Sequence, residues 1–263
     1  MNRKLIGSAL LAIVALVPLA GCSDDDDNPL RPEAATARVQ VIHNAADPAA
    51  ASVDIWIDDE KAIDNFAFRA ATPYLDLPAG VEFVIGVAPS TSTSADDALA
   101  TFPVTLAEDG TYVVIANGVL APAAFEANPN SRSTAFTLLV KDMAREASST
   151  AGQVQFFALH GATDAPVVDV IARGVATLVA DAGYADMTGY VTVPPGSYTL
   201  DVTPGSDNAT VVASFTADLS GLGGGAAVVF ASGFLSPVND KNGPGFGLFA
   251  ALPNGTVVAF PAI

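Results

Sequence analysis

The sequence predicts an all-β protein, built as two tandem antiparallel β-sandwiches of Ig-like type that follow an apolar leader and an acidic linker. Two observations carry this. From residue 38 onward, short runs rich in Val, Ile, Phe and Thr are broken roughly every ten residues by Gly, Pro, Asn or Asp, which is the rhythm of short strands and turns. The second half of the chain then repeats the first. RVQVIHNAAD (38–47) matches QVQFFALHGATD (153–164), VDIW (53–56) matches VDVI (168–171), PYLDLPAG (73–80) matches GYVTVPPG (189–196), and ANGVLAP (116–122) matches ASGFLSP (231–237). The offset stays between 115 and 117 residues, so four ordered matches fall on one duplication.

The elements follow in chain order. Arg3 and Lys4 precede an apolar run over 5–20 that is interrupted by Pro18. The run is shorter than the roughly 20 residues a membrane-spanning helix needs and has the charge-then-apolar layout of a secretory signal peptide. Leu19-Ala20-Gly21-Cys22 closes it. That tetrapeptide resembles the bacterial lipobox. The resemblance implies cleavage after residue 21 and lipidation of Cys22, with a palmitate-type acyl chain on the only thiol in the protein. Residues 1–21 are therefore expected to be a lipoprotein signal peptide.

Residues 22–36 read as a tether. Ser23, Asp24, Asp25, Asp26 and Asp27 place four like charges side by side, which keeps a chain solvated and extended. Pro29 and Pro32 continue it. The Ser-Asp run also looks like the export signal that sends some Bacteroidetes-type lipoproteins to the outer face of the outer membrane. That likeness implies contact with lipoprotein export machinery and surface exposure; a plain acidic spacer is the competing reading. An extended Asp run lacks the turn that would gather oxygens around a calcium ion.

The first sandwich is expected over 37–147 and the second over 152–263, joined by the small, polar stretch AREASSTAG at 144–152. A domain of this size buries enough surface to fold as a unit. Segment 53–58 alternates, with Val53, Ile55 and Ile57 on one face and Asp54, Trp56 and Asp58 on the other.

The strand ending in His (RVQVIH, QFFALH), the Asp-Pro or Asp-Ala-Pro turn after it, the Val-Asp-Val strand and the Tyr-x-x-x-Pro-x-Gly turn together resemble the bacterial domain of unknown function 4397 family. The resemblance spans nearly all of the chain beyond the tether, twice. It implies secreted or anchored tandem β-sandwiches and supplies no activity. The first copy departs from the pattern by the extra residues between Asp47 and Val53.

Composition narrows the function. Eleven Lys and Arg stand against 28 Asp and Glu, for a net charge of −17. There is no basic stripe to neutralise phosphates, so nucleic acid is excluded as a partner. One Cys and two His cannot build a closed zinc site.

His43 with Asp47, and His160 with Asp164, recur where a strand runs into a loop. They are candidates for binding or for structuring the turn: a His–Asp pair serves as base or ligand, or the Asp accepts backbone N–H groups while His packs over it. Trp56, the only Trp, is a candidate for stacking on a sugar if exposed, or for packing if covered. No Gly-x-Ser-x-Gly elbow is present. Acids at 54, 58–60 and 96–97 read as solvated surface rather than paired catalytic carboxylates. NDKNGPG (239–245) lacks the full spacing of a calcium loop, and its Asn, Gly and Pro make a turn without an ion. Leu106 and Tyr112 have the spacing of the tyrosine corner of Ig-like sandwiches, whereas the second copy has Ala227 at the matching place.

The expectation is a lipid-anchored outer-membrane protein without enzymatic activity, cofactor or metal. Its partners would be the membrane, the export machinery and an extracellular polymer or protein. A carbohydrate-binding accessory lipoprotein of an uptake system is the alternative, and an extracytoplasmic hydrolase a more distant one.

Overall fold

The computed structural model describes residues 34–263. The expected signal peptide over 1–21, the expected lipidation site Cys22, and Ser23, Asp24, Asp25, Asp26 and Asp27 of the expected export signal lie outside the described residues. The described chain is all-β, with three single-turn 3-10 segments as its only helical structure. The first half carries β1 (Thr36–His43), β2 (Ser52–Ile57), β3 (Glu60–Ala67), β4 (Leu75–Pro78), β5 (Glu82–Pro89), β6 (Ala100–Thr105), β7 (Thr111–Asn117) and β8 (Thr137–Lys141). The second carries β9 (Val154–His160), β10 (Val168–Ala172), β11 (Ala176–Ala182), β12 (Val191–Val193), β13 (Ser197–Pro204), β14 (Ala213–Asp218), β15 (Ala226–Ser232), β16 (Gly247–Ala251) and β17 (Val257–Ala259).

Each half forms two facing sheets. In the first they run β4-β1-β7-β8 and β3-β2-β5-β6; in the second, β12-β9-β15-β16-β17 and β11-β10-β13-β14. The order repeats strand for strand, with β17 as an added edge. Pairing is antiparallel except for one parallel pair in each half, β1 with β7 and β9 with β15. Nothing in the local patterning marks that pair, because it joins the ends of the repeat.

Strand alternation builds three cores. In β1, Val39 and Val41 point into the first sandwich against Val53, Val87 and Val114. In β9, Val154 and Phe156 point into the second against Leu200, Val202 and Phe215. The opposite faces of β1, β7, β9 and β15 are also apolar. Ile42, Val113 and Ile115 of the first half pack on Phe157, Leu159, Val228 and Phe230 of the second. The β1 and β9 sheets therefore lie face to face, and the molecule has four layers. Every residue of β9 is buried, as expected for a strand covered on both faces.

Polar groups close the seam between the halves. Gln40 Nε2 donates to the Thr72 and Leu252 carbonyls at 2.9 and 2.8 Å. Arg69 Nη2 donates to the Ser232 and Gly245 carbonyls at 3.1 and 2.7 Å, and its guanidinium lies 4.1 Å from the centre of the Phe249 ring. Arg132 pairs with Asp186 and donates to the Tyr184 carbonyl.

At the centre, the side-chain amides of Asn44 and Asn117 meet at 2.9 Å, and the Tyr184 hydroxyl is 3.1 Å from Asn117. Opposite Asn44 stands its own repeat partner, Gly161. A Cβ on Gly161 would lie 2.1 Å from Asn44 Nδ2 and 2.5 Å from the Ala231 carbonyl. The duplicated position has diverged into a large residue and a bare one that fit each other.

The tyrosine corner is present in the first half, where the Tyr112 hydroxyl accepts from Ala107 N–H at 3.1 Å. In the second half a different residue makes a comparable tie, with the Tyr198 hydroxyl donating to the Pro194 carbonyl at 2.6 Å.

Two substitutions measure the seam. Phe230→Ala is expected to cost about 3–5 kcal/mol, the range for removing a fully buried aromatic. Gly161→Ala adds only a methyl group, yet is expected to cost about 1–3 kcal/mol by overpacking. Shifts in urea midpoint with unchanged slope check both; a neutral Gly161→Ala would mean the halves stand further apart than described.

Candidate functional site

The strand-end histidines are held inside the sandwiches. His43 is fully buried, and its Nε2 donates to the Ala50 carbonyl at 2.7 Å. The carbonyl can only accept, which assigns the Nε2–H tautomer. Phe66 and Phe68 flank the ring. Burial pushes the His43 pKa down to about 4. In the second half His160 Nε2 donates to the Pro166 carbonyl at 2.9 Å, and burial lowers its pKa as well.

The aspartates clamp loops. Asp47 Oδ1 accepts from Ala49 N–H and Oδ2 from Leu120 N–H, at 3.0 and 2.9 Å. Asp164 accepts from Leu235 and Ser236 N–H at 3.0 and 2.8 Å. Leu120 and Leu235 are repeat partners, so each carboxylate ties the loop after the first strand of its copy to the loop after the seventh. No hydrogen bond joins His to Asp in either copy, among the described residues. A catalytic base would need that orienting contact and access to substrate.

Trp56 lies on the face that alternation assigns it, beside Asp54, but it is only 6% exposed. The loop between β5 and β6 covers it. Its Nε1 donates to Ser92 Oγ at 2.9 Å, and Ser92 Oγ donates to Asp54 Oδ2 at 2.6 Å. Lys61 Nζ pairs with Asp54 at 2.7 Å and lies 5.4 Å from the centre of the Trp56 ring. Of the two readings of Trp56, stacking on a sugar or packing under cover, the buried ring fits packing; the face is closed by a loop that strand periodicity does not reveal.

Asp54 has a role that the sequence reading left among solvated acids. Its Oδ1 accepts from Asn65 N–H at 2.9 Å, and Asn65 has a left-handed φ of 55°. The repeat partner Asp169 accepts from Asp181 N–H at 2.6 Å, where φ is 52°. Both contacts fall where the hairpin register slips. Each aspartate thus holds a β-bulge, a device that re-aims an edge strand. The signal was the recurrence of Val-Asp at 53–54 and 168–169. Burial alone would raise the Asp54 pKa; Asn65, Lys61 and Ser92 outweigh it and hold it below the usual range.

The second sandwich contains a cavity of about 170 Å³ lined by apolar side chains, including Phe156, Val170, Leu200 and Leu248. His160, whose buried Nδ1 has no partner, is on its wall, and the exposed side chains of Val212 and Leu235 also line it. This space suits a small apolar group and offers nothing to a charged one.

Residues 37–170 and, overlapping them, residues 152–239 match the family described as Domain of unknown function (DUF4397). The matches cover more than half of the chain, and the chain belongs to that family, in tandem. No curated protein matches it.

The depressed His43 pKa has a measurable sign. The folded state keeps the ring neutral, whereas the unfolded chain takes up a proton below pH 6.5. This stability is complete above pH 6.5 and is lost as pH falls towards 4, by up to about 3 kcal/mol. His43→Gln keeps a donor for Ala50 without the titration. The gap between urea midpoints at pH 7 and pH 4.5 is expected to narrow in this variant but not to close, because His160 still titrates in the same sense; an unchanged pH dependence would contradict the assignment.

Proposed function

We propose that this member of the DUF4397 family is a lipid-anchored protein of the cell envelope, carried on Cys22 and presented at the outer-membrane surface as a non-catalytic binding or structural module. One observation supports the non-catalytic reading most. The ionisable pairs repeated at strand ends, His43 with Asp47 and His160 with Asp164, engage backbone groups in both copies, the His in its own loop and the Asp in the loop after the seventh strand. A pair kept twice for the same backbone contacts serves the fold. The carbohydrate-binding alternative loses its aromatic platform with Trp56 buried. The four-layer packing gives a stiff block, and the chain enters it at Thr36, the start of β1. Behind it, the acidic tether would hold the block away from the lipid, where an extracellular polymer or protein is the partner to seek.

Protease shaving of intact cells tests the anchoring and the address together. Wild type is expected to be cleaved, and a variant with Asp24, Asp25, Asp26 and Asp27 all changed to Ala to be protected. Cys22→Ala is expected to move the protein from the membrane to the soluble fraction. Membrane retention of Cys22→Ala would overturn the anchor, and equal protection of wild type and the aspartate variant would overturn surface presentation.

A further inference from the structure

Three carboxylates from three loops converge where the two halves meet. Glu126 comes from the loop between β7 and β8, Asp164 from the loop after β9, and Asp240 from the loop between β15 and β16. One oxygen from each lies within 4.8 Å of the other two. Asp240 is fully buried and Asp164 nearly so, at 0% and 7% exposure, while Glu126 reaches solvent.

Most of these oxygens have a backbone or amide donor. Asp240 Oδ1 accepts from Glu126 N–H at 2.8 Å. Asn239 Nδ2 donates to Glu126 Oε1 at 2.6 Å. Asp240 Oδ2 is buried, is left to the cluster and has no partner. No Lys or Arg forms an ion pair with any of the three, among the described residues. The cation next in sequence, Lys241, lies over the Phe125 ring at 4.1 Å. Burial, together with the Asp164 and Glu126 charges, raises the Asp240 pKa. A buried carboxylate beside two others without a counter-charge is costly, so something positive belongs here.

The internal repeat shows that the Asp240 carboxylate is not needed for its own turn. In the second copy Asn239 N–H donates to the Ser236 carbonyl and Asp240 N–H to the Pro237 carbonyl. In the first copy Ala124 donates to Ala121 and Phe125 to Pro122 in the same pattern. Phe125 stands at the place of Asp240 and forms the turn equally well.

We propose that Glu126, Asp164 and Asp240 form a calcium site that bridges the two halves of the molecule. The ion class follows from the donors, three carboxylates and no Cys or His, which are hard oxygen ligands of the kind calcium takes in a flexible geometry. Calcium binds oxygen at roughly 2.3–2.6 Å, so opposite ligands can stand about 5 Å apart. Oxygens within 4.8 Å of one another already meet that limit. Magnesium, at about 2.1 Å, demands a near-ideal octahedron and usually keeps several waters on one or two carboxylates, so three carboxylates converging from separate loops suit it less well. This reading replaces the sequence expectation of a metal-free chain. It draws on the 239–245 loop, but with ligands supplied from distant loops instead of the spacing of a single-loop site.

The test uses the full chain in detergent, stripped with chelator and titrated with calcium or magnesium chloride up to about 5 mM, the range of weak extracellular sites. Thermal unfolding and titration calorimetry are the readouts. Calcium is expected to raise Tm and to saturate, with magnesium giving less than a third of the shift. Asp240→Asn is expected to abolish the response without lowering the calcium-free Tm, because it also removes a like charge. Glu126→Gln, on an exposed side chain, is expected to fold normally and weaken binding about tenfold. No calcium heat and no Tm shift in wild type would overturn the site and leave a shared proton as the counter-charge. A shift of undiminished size in both variants would equally overturn it, as diffuse binding to an acidic surface.

Discussion

The face-to-face packing of the β1 and β9 sheets is the constraint on which the rest of the structure depends. Each sandwich has its own core, but strands β1, β7, β9 and β15 are apolar on both sides, and their second faces meet in the shared core between the halves, with Tyr74, Tyr190 and Phe249 at its margins. Separated, either half would expose Phe157, Phe230, Ile42 and Ile115 to water. The hydrophobic effect acts on that area without direction. The register of the contact is set by polar groups that must find partners: Gln40, Asn44, Asn117, Arg69 and Arg132. Arg69 illustrates the cost of such placement. Burial pushes its pKa down to about 10, and carbonyls and a ring face receive it instead of a carboxylate.

The duplication explains how a single chain makes such an interface. Two identical copies packed through the same sheet would form a symmetric contact, in which each position meets its own equivalent or a neighbour of it. Fusion into one chain frees the two sides to differ. Asn44 and Gly161 have become a projection and the space for it, and Asn117 and Ser232 now bind different partners. What remains shared is what each sandwich needs internally. Asp47 and Asp164 clamp the same pair of loops, Asp54 and Asp169 hold the same bulge, and His43 and His160 donate to the turn that follows.

The strands and the two-copy layout were legible because they rest on local signals: alternation, turn residues and a constant offset. The interface was not. Within VQFFALH the four residues FFAL read as a continuous apolar run, and a run of that kind does not say whether its second face meets a loop, a sheet or a ligand. Likewise the face of Trp56 was correctly placed by alternation, but its cover comes from residues some 36 positions away, which no periodicity reaches. The carboxylate cluster was hidden for the same reason, since Glu126, Asp164 and Asp240 are brought together by the interface and not by spacing. Asp54 was obscured by the abundance of acid around it. Only its recurrence as Asp169 separates a bulge-holding carboxylate from solvated surface.

Scanning calorimetry of the folded chain tests this account most directly. If the inner sheets share one core, both halves unfold together, and the calorimetric enthalpy equals the van't Hoff enthalpy of a single transition. Two resolved transitions, or a calorimetric enthalpy about twice the van't Hoff value, would mean that the sandwiches are independent beads on a chain and that the shared core does not hold them.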